Sequence, residues 1–105
     1  MAQDVLVVLV TCPPDKADGL AHALVERRLA ACVNVVPHLA SVYRWQGSVH
    51  RDSEALLVVK TPRDRFDALK QAVLELHPCD LPEMIALDVE RGHVPYLEWV
   101  IEATR

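Results

Sequence analysis

The chain carries an internal echo. At an offset of 49 residues Pro13 meets Pro62, Asp15 meets Asp64, Leu20 meets Leu69, Ala23 meets Ala72 and Glu26 meets Glu75. Each half runs from an apolar, β-branched stretch through a proline-marked helix start and back to a second extended stretch. Two strand–helix–strand units, each with a right-handed crossover, predict an α+β fold. The expected form is a ferredoxin-like sandwich, a doubled βαβ with one antiparallel sheet and its helices on one face. At 105 residues the chain has room for a single domain spanning 1–105.

The elements follow from local patterning. Val5 to Val10 is a six-residue apolar run, which fits a strand buried on both faces. Pro13-Pro14-Asp15 opens a helix whose apolar stripe is Leu20, Ala21, Leu24 and Val25. Arg27 and Arg28 are expected in its last turn, where positive charge suits the helix dipole. Cys32 to Val36 reads as a second strand, interrupted at Pro37 and resumed from Leu39 to Trp45. In that resumed part Val42 lies on one face, with Tyr43 and Trp45 on the other. Gln46-Gly47-Ser48 signals a turn, and Val49 to Thr61 returns without proline or glycine. A second helix carries Phe66, Leu69, Val73 and Leu76 on its core stripe and stops at His77-Pro78. Met84 to Val89 is the last strand. A short helix restarts after Gly92, with Tyr96, Leu97, Val100 and Ile101 on its apolar side and with Tyr96 and Trp99 as packing anchors.

Composition removes several function classes. The net charge is −4, which offers no basic field to nucleic acid or to an anionic membrane. The longest apolar run is far below the roughly 20 residues of a membrane helix, and the start lacks the basic segment of a secretory leader. Three cysteines, odd in number and widely spaced, suit a reducing compartment better than a disulfide scaffold. A cytoplasmic protein is the expectation.

The return arm carries an argument about assembly. Ser48 to Thr61 is 14 residues long, and at ~3.3 Å per residue it spans about 46 Å. A compact domain of this size is about 33 Å across, so the hairpin outgrows its own globule. Tyr43 and Trp45 near its tip are unfavourable to leave in water, and a bare sheet edge invites pairing. A symmetric oligomer in which each hairpin extends a neighbour's sheet satisfies both. The alternative is a bulge at Pro37 that curls the arm back over its own core.

Candidate chemistry is sparse. No CxxC, HxxxH or HExxH spacing occurs, so no structural zinc site is expected. His77-Pro78-Cys79 places nitrogen and sulfur donors together, a start for copper or another borderline ion, or else simply a helix end and a turn. Cys12, between the first strand and the first helix, is either an activated thiol or a small buried filler. The Thr11-Cys12-Pro13-Pro14 loop has lost two N–H donors to proline, which argues against a phosphate cradle. Lys60, at the end of a buried strand, either pairs with a carboxylate or faces an anion-binding cleft, with Glu54 and Glu83 as its charged neighbours in the pattern. No activated nucleophile emerges, so an enzyme is not expected.

Several segments together resemble one family. They are Leu29-Ala30-Ala31-Cys32-Val33-Asn34, Ser41-Val42-Tyr43-Arg44-Trp45-Gln46-Gly47, Glu54, Lys60-Thr61, His77-Pro78 with Pro82-Glu83, and Gly92 with Tyr96-Leu97-Glu98-Trp99. The chain resembles the CutA proteins, named for divalent-cation tolerance, over Val5 to Trp99. The resemblance implies a ferredoxin-like fold, a homotrimer in which Tyr43 and Trp45 make subunit contacts, and a non-enzymatic cytoplasmic protein that binds or senses divalent metal. It implies copper or another divalent cation as the ligand, no organic cofactor, and no nucleic-acid or membrane partner. The family is similar in architecture to PII signalling proteins, which implies as an alternative a small anionic effector in an inter-subunit cleft lined by Lys60, Glu54 and Glu83. Some members are assigned copper ligands at a first-strand cysteine and at the histidine before the helix-ending proline. His77 matches the second. Cys12 matches the first with a one-residue offset, because alignment on Pro14-Asp15 puts Thr11 at that position. Cys79 replaces the family's usual tyrosine after His-Pro, and an acidic residue follows as Asp80.

Overall fold

The computed structural model describes residues 4–105. Four strands and three helices follow in the order β1 (Val5–Cys12), α1 (Ala17–Glu26), β2 (Cys32–Trp45), β3 (Ser48–Pro62), α2 (Phe66–Leu76), β4 (Met84–Asp88) and α3 (Val94–Glu102). A single 3-10 turn, Pro14–Lys16 or Arg63–Arg65, precedes each of the first two helices. The echo is therefore structural: turn and helix recur at the same offset as Pro13 and Pro62. In both copies the proline has the fixed φ that leads into a helix, and no N–H is wasted there.

The sheet order is β2-β3-β1-β4, and every neighbouring pair is antiparallel. This is the ferredoxin-like arrangement, with the first strand of each half in the middle. Alternation along β1 divides its side chains between the two faces. Leu6, Val8, Val10 and Cys12 join Ala55, Leu57 and Val59 of β3 against Leu20, Leu24, Leu69 and Val73 of the helices. Each fully buried leucine or valine contributes on the order of 1.5–3 kcal/mol. Thr61 is fully buried among them and donates its hydroxyl to the Leu29 carbonyl at 2.7 Å.

The opposite face has an apolar surface of its own. Val7, Leu9, Leu56 and Val58 are half-buried, while Ile85 and Leu87 of β4 are about half exposed. α3 covers only one end of this face, where Leu97 and Val100 pack on Val5.

Two helix expectations shift. Val25 and Leu76 each remain 42% exposed: Val25 lies one step past the Ala17–Leu20–Ala21–Leu24 stripe, and Leu76 is the last residue of α2. Arg27 and Arg28 lie beyond α1 rather than in its last turn. Arg28 takes a left-handed φ of 59° and gives a guanidinium hydrogen bond to the Arg105 carbonyl at 2.6 Å. Tyr96 and Trp99, expected as packing anchors, stay partly exposed and lean on each other with ring centroids 5.6 Å apart.

β2 and β3 form the long hairpin, paired from Cys32↔Lys60 to Trp45↔Ser48 with a register shift between Val36 and Leu39. Pro37, which has no N–H for the ladder, sits in that shift. Beyond it Tyr43 pairs with His50 and Ser41 with Asp52, and Ser48 to Ser53 are all exposed. The arm does not curl back. The molecule measures 44 × 25 × 22 Å, and its long dimension matches the length of the hairpin.

Candidate functional site

A cavity of about 930 Å³ lies where the end of β1, the outer half of the hairpin and the segment 77–83 meet. His77 ties these parts together. It ends α2 in an extended conformation, as a residue before proline must. Its ring is buried, and its Nε2–H donates to the Thr11 carbonyl at 2.7 Å. Nδ1 accepts the Cys79 backbone N–H at 3.1 Å. One nitrogen donates and the other accepts, so both polar positions of a neutral imidazole are occupied by backbone. Thr11 adds a side-chain bond to Glu83 at 3.4 Å.

The hairpin wall is built on Tyr43. Its hydroxyl donates to Asp52, and its ring stacks on His50 across the strand pair, 5.6 Å between centroids. The Asp52 hydrogen bond, then burial and the charges of Asp52, Glu54 and Cys79, push the Tyr43 phenol above its ordinary 10.0. Trp45 continues the same wall. Asp52, Glu54, Asp80 and Glu83 also line the cavity, with Arg44 as the one lysine or arginine among the lining residues.

The expected site residues divide into three groups. Glu54, Glu83, His77, Cys79, Tyr43 and Trp45 all come to this cavity. Cys12 does not: it faces the helices and is fully buried in the core. Burial first, then the charges of Glu54, Cys79 and Asp15, push its thiol above the ordinary 9.0, which makes it a poor metal donor. Lys60 stands apart from Glu54 and Glu83, six residues along β3 on the far side of Leu56 and Val58. Its ammonium hydrogen-bonds Asn34 rather than the carboxylate the sequence pattern favoured. Asp52 and Asp80 were missed as lining residues. The signal for Asp52 was its place opposite Ser41, readable only once the register is known.

The fit to a metal is limited within one chain. Among the described residues, no three His, Cys, Asp or Glu side chains are grouped to hold an ion. What the wall offers is the exposed Cys79 thiol and carboxylate oxygens facing a shared space.

With this geometry in view, a family model described as "CutA1 divalent ion tolerance protein" matches residues 6–103. The chain belongs to the CutA1 family. The divalent-cation tolerance protein CutA of Thermus thermophilus is 52% identical over 99 residues, covering 93% of this chain and 96% of that protein. Human protein CutA is 46% identical over 101 residues, 95% of this chain but only 56% of the human one. Among solved structures, the Thermus thermophilus divalent cation tolerance protein superposes with a TM-score of 0.93 at 51% identity, covering 96% and 99% of the two chains. A structure described as the PII-like protein CutA from Nostoc superposes with a TM-score of 0.91 at 32% identity, covering 95% and 97%. The family model and the Thermus thermophilus relative are named for tolerance and not as enzymes. In the described residues of the CutA1-family chain no helix is long and apolar enough to cross a membrane.

Proposed function

We propose that this CutA1-family chain acts as a non-enzymatic homotrimer that binds divalent cations, copper among them, at the cavity walled by the hairpin and the 77–83 segment. The observation that carries the reading is the charge of that cavity: four carboxylates against one guanidinium. Such a wall attracts cations and repels small anions. Cys79 supplies the soft donor and Glu83 and Asp80 the hard ones. His77 holds the segment in place and becomes a ligand through Nδ1 when it releases the Cys79 N–H. Donors from a neighbouring copy complete the coordination, since the hairpin overshoots its own domain and the open sheet face is apolar. Three free cysteines suit the cytoplasm, although relatives carry other addresses, chloroplastic in rice and periplasmic in Archaeoglobus fulgidus.

Calorimetric titration of the assembled protein with copper and with zinc tests this. Saturable binding is expected, weakened about tenfold or more in Cys79→Ser, Glu83→Gln and His77→Ala. Equal binding in all three variants overturns the site. A second reading, a small anionic effector between subunits, is favoured by the likeness to the PII-like CutA structure. It requires Lys60 of one copy to approach the carboxylates of another, and a melting-temperature rise with anionic metabolites but not with cations would favour it.

A further inference from the structure

The sheet face left open by α1 and α2 is apolar along its centre, with one polar cluster set into it. Register pairs Cys32 of β2 directly with Lys60 of β3, so both side chains rise from the same face on adjacent strands. Lys60 Nζ reaches Cys32 Sγ at 3.7 Å and also bonds Asn34, the next residue on that face of β2. From above, α3 brings Tyr96. Burial, the charge of Cys32 and a hydrogen bond with Cys32 push the Tyr96 phenol above its ordinary 10.0. Cys32 and Lys60 are both half-buried. A sulfur met by an ammonium on one side and a phenol on the other has two proton donors turned onto it, and the ammonium stands where it can protonate an oxygen leaving that sulfur. The other two cysteines have no such setting: Cys12 is sealed in the core and Cys79 sits among carboxylates.

We propose that Cys32, Lys60 and Tyr96 form a peroxide-reactive thiol site. The Cys32 thiolate attacks one oxygen of hydrogen peroxide, and the S–O bond forms as the O–O bond breaks. The departing hydroxide takes a proton from the Lys60 ammonium and leaves as water. Sulfur is oxidised by two electrons to the sulfenic acid, peroxide is reduced, and the Lys60 amine regains its proton from solvent. Tyr96 donates to the sulfur throughout and holds it toward Lys60. This site is separate from the acidic cavity and does not depend on metal.

The three cysteines make the test internal. The assembled protein is treated with limiting hydrogen peroxide in the presence of dimedone, and labelling of each cysteine is followed by peptide mass spectrometry. Cys32 is expected to label at least about tenfold faster than the more exposed Cys79, and Lys60→Gln to slow Cys32 by about tenfold or more. Lys60→Arg, which keeps a proton-donating cation, restores most of the rate. Iodoacetamide, whose leaving iodide needs no proton, is slowed less by Lys60→Gln than peroxide is, which separates proton donation from a change in folding. Tyr96→Phe gives a second, milder slowing. Labelling in order of exposure, with Cys79 first, overturns the site. So does a Cys32 that stays unlabelled, or one whose peroxide rate Lys60→Gln leaves unchanged.

Discussion

Thr11 and Cys12 are neighbours at the end of β1, yet their side chains serve opposite faces. Thr11 turns to the cavity and bonds Glu83, while Cys12 closes the helical core. Burial and nearby negative charge hold the Cys12 thiol protonated beyond its ordinary 9.0. The folded state therefore retains a proton that the unfolded chain gives up above about pH 9, and stability falls as pH rises through that range. The two tyrosines pushed above 10.0 act in the same direction at still higher pH. Melting temperature is expected to hold steady from pH 7 to about 8.5 and to decline beyond 9. Cys12→Ala should start about 1 kcal/mol lower, from the lost packing, and show a shallower decline between about pH 8.5 and 9.5. A slope unchanged by that substitution would assign the alkaline loss elsewhere.

The hairpin depends on two residues. Gln46 has φ 50° and Gly47 has φ 84°, the left-handed pair of a two-residue turn whose twist suits the strands it joins. Glycine is at home there, and glutamine is not. Gly47→Ala should lower stability by about 1 kcal/mol, and Gln46→Asn should raise it by a few tenths, both read from urea unfolding midpoints. The turn was legible because glycine there has a single conformational reason. The helix starts were legible for the same kind of reason: Pro13 and Pro62 repeat a local geometry with no outside help. The cavity was not legible. It takes Thr11 from β1, Tyr43 and Asp52 from the hairpin, and His77 to Glu83 from a loop, and only register and packing bring them together. Lys60 shows the same limit. Its place at the end of a buried strand suggested a carboxylate partner, whereas the strand pairing assigned it Asn34 and Cys32.

The whole molecule is elongated, with a Cα radius of gyration of 14.2 Å where a compact chain of this length has about 13 Å. Its apolar open face and overshooting ribbon both call for further copies. Light scattering at micromolar concentration should return three times the 11.7 kDa chain mass. Ile85 is half exposed within one chain, so Ile85→Glu should spare the folded domain, by circular dichroism, and still reduce the assembly to single chains. A trimer that survives that charge would place the subunit contact on another surface. The irregularity between Val36 and Leu39 then acquires a larger meaning. β2 spends three steps there while β3 spends two, and this odd residue decides which side of the ribbon shows tyrosine and tryptophan and which shows Val42 and Arg44. Deleting one amino acid at Pro37 would turn the outer arm over like a reversed glove, exchanging the aromatic pair and the Val42–Arg44 pair between its two sides.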